Sequence, residues 1–371
     1  MRRLFAAALM SALLFLFCAC GQQSADSAAA PEKTGSMDLR YAEHFGVDYY
    51  ADGSSVLALG DRDRFLLLPD GAEPWTDLPV IQIPVRQVYV ASSSVPDLFL
   101  RCGAIENLRF TGTNADSWRL PELQDALRDG TLLYDGKYSM PDYELLLEEG
   151  CDLVVENTMI LHNPETREKL EALGFPVMVE YSSYESHPLG RVEWIRLYGL
   201  LTGHAAEADA FFEEQSALLE TLVTQESTGK SVAFFHFTSN GAVVVRKSAD
   251  YVTRMIELAG GRSCFTDLPP SENALSTSTI QMESFYQQAK DADILIYNST
   301  VSGDLVGLSD LLEKSSLLSG FKAVQNGDVW CTEQSMFQQS SATAGMIRDL
   351  RSILTGESDG LDRLQYLHRL T

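Results

Sequence analysis

The chain is short of positive charge. It carries 28 lysines and arginines against 52 aspartates and glutamates, a formal net charge of −24 over 371 residues. A surface of that sign repels phosphate backbones and anionic headgroups, which argues against nucleic acid as a partner. Histidine is scarce as well: the six residues His44, His162, His187, His204, His236 and His368 form no His-rich loop. A bare divalent ion needs three or four converging imidazoles and carboxylates, and only His236 ends a strand-like run. No resident metal or cofactor is implied. The six cysteines include no CxxC spacing, so a thiolate metal site has no support. GxSxG, HExxH and a GxGxxG after a strand are all missing, and "GLLTGH" falls inside a helical pattern. The chain reads as a non-enzyme; a chelate-processing enzyme and an adhesin are the alternatives from other classes.

What is present begins with Arg2, Arg3 and the apolar "LFAAALMSALLFLF". That run of about 14 residues is too short, and wrongly flanked, for a spanning helix. It ends in "FCAC" and resembles a bacterial lipoprotein signal. The resemblance implies a signal peptide over 1–19, with Cys20 as the lipidated first residue of the mature chain and a membrane anchor on the extracytoplasmic face. Phe17 departs from the leucine that such signals favour, and an ordinary secretion signal is the alternative. Residues 20–37 are small and polar, and read as a flexible tether. Export permits disulfides. Cys102–Cys151 and Cys264–Cys331 would keep one pair in each half, although four cysteines allow three pairings and buried free thiols are the plainer reading.

From Asp38 the chain is long enough for two lobes. Residues 38–77 alternate apolar and polar positions around Asp52-Gly53 and Gly60-Asp61, the pattern of antiparallel hairpins. Residues 78–186 alternate strand and helix. "VIQIPVRQVYVASSS" predicts a strand ending at "VYVA", "VPDLFLRCGAIENL" a helix with Pro96 in its first turn, "LRFTGT" a strand, "PELQDALRDG" a helix and "FPVMVEYSS" a strand. Residues 187–228 are helical throughout, bent near Gly203; a helix of the first ~15–20 residues would span roughly 25–30 Å. Residues 229–371 restart the alternation with "KSVAFFHF", "GAVVVRK" and a helix over "SADYVTRMIELAGG" capped by Ser248. This order predicts an α/β chain with mostly parallel sheets.

One phrase is written twice. "YELLLEEGCDLVV" and "MESFYQQAKDADILIY" each put an acid at a helix start, Glu144 or Glu283, and an aspartate before an apolar run, Asp152 or Asp293. Together with "REKLEALGFPVMVEY", "YVTRMIELAGG" and "FKAVQNGDVWC", in that order, the stretch from Leu78 to Gly356 resembles the substrate-binding lipoproteins of ABC importers. The branch is class III of the periplasmic binding proteins, which serves iron–siderophore, haem and cobalamin uptake. The resemblance implies two Rossmann-like lobes bridged by a long α-helix, with the hairpins as a small N-terminal extension. It implies a monomer that holds an Fe(III) chelate of the siderophore type, or haem or cobalamin, between its lobes. The partner would be an ABC permease dimer with its ATPase, whose arginines dock onto one glutamate per lobe. Glu144 matches the first docking position; Glu283, two residues farther from its aspartate, is the second-lobe counterpart.

Ligands of open α/β sheets bind beyond the carboxyl ends of strands. The candidates there are Ser92, Ser93, Ser94, Thr111, Gly112, Asn157, Thr158 and Met159 in the first lobe, with Tyr138 in the loop before the acid-led helix. In the second lobe they are His236, Phe237, Asn298, Ser299, Thr300, Met336 and Phe337. Arg246 joins them, because a guanidinium suits a carboxylate or an anionic chelate. Each hydroxyl or amide taken alone is equally at home in turn chemistry.

Overall fold

The computed structural model describes residues 30–223, 226–266, 268, 277–358 and 360–371. The expected signal segment and the lipidation site Cys20 lie outside them. Among the described residues no helix is long and apolar enough to cross a membrane.

Strands β1 (Lys33–Ser36), β2 (Phe45–Tyr50), β3 (Ser55–Leu59), β4 (Asp63–Pro69) and β5 (Val80–Ile83) form an N-terminal sheet in that spatial order. Two expectations change here. Lys33–Ser36 falls in the expected tether yet pairs with β2. An edge strand needs backbone groups more than apolar side chains, and Asp48 secures this one by accepting from Lys33 and Ser36 at 2.7 Å each. "VIQIPVRQVYV", read as one strand opening the first lobe, is two. The ladder stops at Pro84, which has no N–H to donate, so β5 pairs with β4 and the first-lobe sheet begins only with β6 (Val88–Val90).

That second sheet comprises β6, β7 (Leu108–Thr111), β8 (Leu133–Tyr134), β11 (Leu153–Asn157) and β12 (Val177–Glu180), in the order β12-β11-β6-β7-β8 with every pair parallel. A small hairpin, β9 (Gly136–Lys137) with β10 (Met140–Pro141), follows β8. The connecting helices are α1 (Pro96–Arg101), α2 (Pro121–Asp129), α3 (Tyr143–Glu148) and α4 (Pro164–Ala172).

The helical segment is broken in two. α5 (Pro188–Thr202) ends at Gly203, whose φ of 83° is the left-handed conformation that favours glycine. α6 (Ala205–Val223) then folds back along α5. Gly199 permits this approach, since a Cβ there would run into Ala208. α5 is therefore the bridge: 15 residues, about 22 Å, touching α1 on one side and α7 (Tyr251–Leu258) and α12 (Thr343–Thr355) on the other. It also anchors the N-terminal extension. The buried Glu193 carboxylate accepts from the amides of Arg40, Tyr41 and Ala42 at 2.8–2.9 Å. Glu185, just before the helix, accepts from Glu43, His44 and the Trp194 indole.

The third sheet holds β13 (Ser231–Phe237), β14 (Val243–Arg246), β15 (Arg262–Ser263), β16 (Thr277–Ile280), β17 (Ile294–Tyr297), β18 (Val329–Thr332) and β19 (Leu367–Arg369). Its centre, β13-β17-β18, is parallel, while β14, β16 and β19 add antiparallel edges. Asp250, rather than Ser248, caps α7, its carboxylate accepting from the Val252 amide at 2.9 Å. α8 (Met282–Ala289) precedes β17, and α9 (Ser299–Ser302), α10 (Leu308–Lys314) and α11 (Lys322–Asn326) complete the lobe. One continuous apolar core runs from the extension through α5 and α6 into the second lobe. The cysteines Cys102, Cys151, Cys264 and Cys331 are free thiols, the plainer of the two readings, and neither Cys102–Cys151 nor Cys264–Cys331 is bonded.

The repeated phrase has a structural cause. Asp152 accepts from the amides of Arg86 and Gln87, just ahead of β6. Asp293 accepts from the Ser231 amide at 2.8 Å and its hydroxyl at 2.9 Å, at the first residue of β13. In each lobe the aspartate before one inner strand holds the start of its parallel neighbour.

Candidate functional site

Hydrogen bonds tie the carboxyl-terminal rims of the two lobe sheets together. Beyond β7, the Arg119 guanidinium donates to Gln334 at 2.7 Å and its amide to Gln338 at 2.8 Å; the Gln338 amide group donates back to the Ser117 carbonyl. Beyond β6, the Ser94 carbonyl accepts from Ser340, and the buried Asp97 carboxylate accepts from the Ser341 amide at 2.8 Å. The segment from Gln334 to Ser341, which follows β18, is thus the second lobe's half of the junction.

The predicted first-lobe residues divide by what their side chains touch. Ser92 and Ser94 share a hydroxyl–hydroxyl bond at 2.7 Å, and Ser93 beside them is half-buried. Thr111 is buried and its hydroxyl accepts from the Thr113 amide, so it serves the turn. Gly112 lets two strands close up: a Cβ there would lie 3.0 Å from the Ala91 carbonyl. Asn157 caps the next turn through the Met159 amide; Thr158 is half-buried and Met159 exposed. Tyr138, in the β9–β10 turn, packs against the first-lobe core.

In the second lobe, His236 and Phe237 line an open pocket of about 600 Å³ at the end of β13, together with Thr238, Val301 and Lys314. Burial, then the nearby Arg246, lowers the His236 pKa, which favours its neutral form. Ser299 is buried and donates to the Thr332 carbonyl at 2.5 Å, a bond internal to the lobe. Asn298, also buried, accepts from Thr300, while its Nδ2 has no partner among the described residues. Met336 and Phe337 line a cavity of only about 20 Å³ with Arg191 and Tyr251, too small for a chelate. Arg246 does not end a strand on the rim. β14 runs antiparallel to β13, so Val243 lies opposite Phe237 at the rim and Arg246 lies well back from it. Its guanidinium stands 5.0 Å from the Phe337 ring centre and 3.5 Å from Asp250.

Glu144 and Glu283 are both exposed in the first turns of α3 and α8. Sequence reading missed Arg119 and Gln338, although an arginine in the loop after "LRFTGT" is a visible signal in so acidic a chain. It also missed two buried acids at the first-lobe rim. Asp135 follows β8 and Glu156 lies in β11; among the described residues neither carboxylate accepts a hydrogen bond of good geometry, only weak backbone contacts from Asp142 and Asn157. Burial, then Asp142, pushes Asp135 up to about 7, and burial, then Asp135, pushes Glu156 up to about 8. The glutamate in "DLVVEN" was the available clue.

Residues 110–335 match the model of the periplasmic binding protein family. The chain belongs to this family. Periplasmic binding proteins are extracytoplasmic substrate-binding components of transporters rather than enzymes; they bind small molecules and work with ABC permeases. A protein of Methanocaldococcus jannaschii named as an uncharacterised lipoprotein is 23% identical over 358 residues, covering 88% of this chain and 84% of its own. Among solved structures, the periplasmic haem-binding protein of Vibrio cholerae superposes with a TM-score of 0.58 at 19% identity, over 71% of this chain and 98% of its own. An Fe³⁺-hydroxamate transport protein of Saccharomonospora viridis gives 0.51 at 18% identity, over 72% and 93%. These periplasmic binding proteins share the class III architecture seen here: two lobes joined by a bridging helix.

Proposed function

We propose that the chain is the membrane-anchored, monomeric receptor of an ABC importer for an anionic metal chelate. The substrate is an iron–siderophore-type complex, with haem or a corrinoid as the second reading. The observation that carries this is the facing of the two rims across Arg119, Gln334 and Gln338. The ligand would lie between the first-lobe loops and the His236–Phe237 pocket, meeting Arg119 from one lobe and Lys314 from the other; cations suit the charge of a ferric chelate. Phe337 and Arg246 act behind this surface. Asp135 and Glu156, when protonated, add no opposing charge. Lipidation at Cys20 supplies the anchor, and Glu144 and Glu283 dock onto the permease, steering encounter more than adding affinity.

The test is a melting screen across ferric siderophores, haem, cobalamins and free metal ions. A true ligand at a hundredfold excess over its dissociation constant stabilises the fold by about 2.7 kcal/mol. The shift should shrink in Arg119→Ala and Lys314→Ala and persist in Glu144→Gln/Glu283→Gln, which should lose uptake instead. The screen is repeated in Asp304→Asn, which removes a second-lobe carboxylate able to hold a free ion away from the cleft. If free metals alone raise the melting point in that variant too, the chelate reading is wrong.

A further inference from the structure

The second lobe brings together three metal-ligating side chains that lie far apart in sequence. Cys331 on β18 and His368 on β19 stand directly opposite each other in an antiparallel pair, and so project from the same face of the sheet. Asp304 comes in from the loop after α9. One ligand atom from each lies within 4.8 Å of the others. Asp304 Oδ1 is 3.6 Å from Cys331 Sγ and 3.6 Å from His368 Nε2. Zinc bonds of about 2.3 Å to sulfur and about 2.0–2.2 Å to nitrogen and oxygen place tetrahedral ligand atoms roughly 3.3–3.6 Å apart. The two distances therefore fit a tetrahedral edge with little movement. Thiol and imidazole are buried, whereas the Asp304 side chain is 41% exposed and leaves an entry path.

The surroundings of the imidazole add an independent point. His368 Nδ1 is 3.1 Å from Glu333 Oε1, the contact that fixes the ring of a ligating histidine and leaves Nε2 free to bind. Nε2 then faces two more acceptors, the Leu305 carbonyl at 3.0 Å and Asp304. With Nδ1–H donated to Glu333, the Nε2 lone pair faces the Leu305 carbonyl and the Asp304 carboxylate, which itself accepts from the Leu305 amide and the Cys331 thiol. A proton on Nε2 removes that conflict, and so does a bound cation, for which the thiol, imidazole and carboxylate already stand at ligand spacing.

We propose that Asp304, Cys331 and His368 bind a zinc-class divalent ion, with Glu333 as the residue that positions His368. The Leu305 carbonyl or a water completes four ligands, and the Cys331 thiol proton leaves to solvent as the ion binds. Neither the cargo chelate nor the lobe junction supplies a ligand, so this site does not depend on the transport reading. It clips the last strand to the lobe and fixes Glu333, the residue next to Gln334 of the junction.

The experiment uses the purified chain, stripped with a chelator and titrated with Zn²⁺ alone and with Co²⁺ alone. One ion per chain should bind, raising the melting temperature. Co²⁺ should give a sulfur-to-metal charge-transfer band that vanishes in Cys331→Ser. Asp304→Asn changes only an exposed loop side chain, so its fold provides the control should Cys331→Ser fail to fold; it should weaken Zn²⁺ binding at least about tenfold. Glu333→Gln should keep the band while lowering affinity about 10–100-fold. Absence of the band, or Zn²⁺ affinity equal to the natural chain's in both Asp304→Asn and Glu333→Gln, overturns the proposal and leaves an ordinary histidine–carboxylate cluster.

Discussion

In the first lobe the Asp152 clamp holds two backbone amides; in the second the Asp293 clamp holds an amide, a hydroxyl and, at 2.6 Å, the Lys322 ammonium. The device is shared, and it works at the amino ends of the strands. At the carboxyl ends the lobes diverge. The first-lobe rim has hydroxyls and two buried, weakly bonded acids; the second has His236, Phe237 and Lys314 around an open pocket. Constraint on the fold is thus written at one end of each sheet, and freedom for recognition at the other.

The sharpest way to break this comparison is to remove a buried acid from the first-lobe rim. Glu156 titrates near 8 in the folded chain against an ordinary 4.5. An acid whose folded pKa is raised contributes stability that is fully present below its ordinary pKa and is lost as pH rises toward the folded value. The chain should therefore lose stability between about pH 4.5 and 8, on the order of 3 kcal/mol from this group. Glu156→Gln should flatten that slope in denaturant titrations run at several pH values. An unchanged slope would mean that Glu156 finds a partner or water when ionised.

The clamps come next. Asp293→Ala should cost about 2 kcal/mol, because an ammonium and two Ser231 donors lose their acceptor. Asp152→Ala, which strands two amides, should cost about 1–2 kcal/mol. A loss in only one lobe would show that the repeated aspartates are not equivalent. Asp293 also has a distinctive pH signature. Against the opposing effect of burial, Lys322 and Ser231 bring its carboxyl down to about 2. Its contribution is present above the ordinary carboxylate range and is lost as pH falls toward 2, a loss that Asp293→Ala should abolish.

How much of this the sequence disclosed depends on the range of the interaction. Hairpins, alternating strands and helices, the Gly203 break and the duplicated phrase follow from local pattern, and the structure has all of them. The edge strand Lys33–Ser36 was invisible because backbone pairing leaves no hydrophobic trace. The split at Pro84 hides inside an apolar run that continues past a residue unable to extend a ladder. Ser299 and Thr111 are polar at strand ends, yet their hydroxyls bond within the lobe, a fact set by partners such as Thr332. Arg246 is a candidate for its guanidinium chemistry, but strand direction, which the sequence does not show, decides which end of the sheet a residue occupies. The Asp304–Cys331–His368 cluster spans three segments with no fixed spacing, so only tertiary structure assembles it.

The smallest test uses the helices that open the duplicated phrase. Asp142 caps α3, its carboxylate accepting from the Glu144 and Leu145 amides at 3.2 Å. The equivalent residue before α8 is Gln281, which caps nothing, although its backbone at φ −73° and ψ 154° is already in the extended form that a cap requires. Asp142→Ala should lose about 1 kcal/mol, and Gln281→Asp should gain about 0.5–1 kcal/mol, from a new cap and a negative charge at a helix start. Both follow from shifts in the denaturation midpoint at constant slope. Because Glu144 and Glu283 sit in the first turns of α3 and α8, the same two variants also ask whether the proposed docking of these glutamates needs an ordered helix start. Should Gln281→Asp improve uptake without altering chelate affinity, cap order would count in docking, and the first lobe would have been the better-prepared half of the pair.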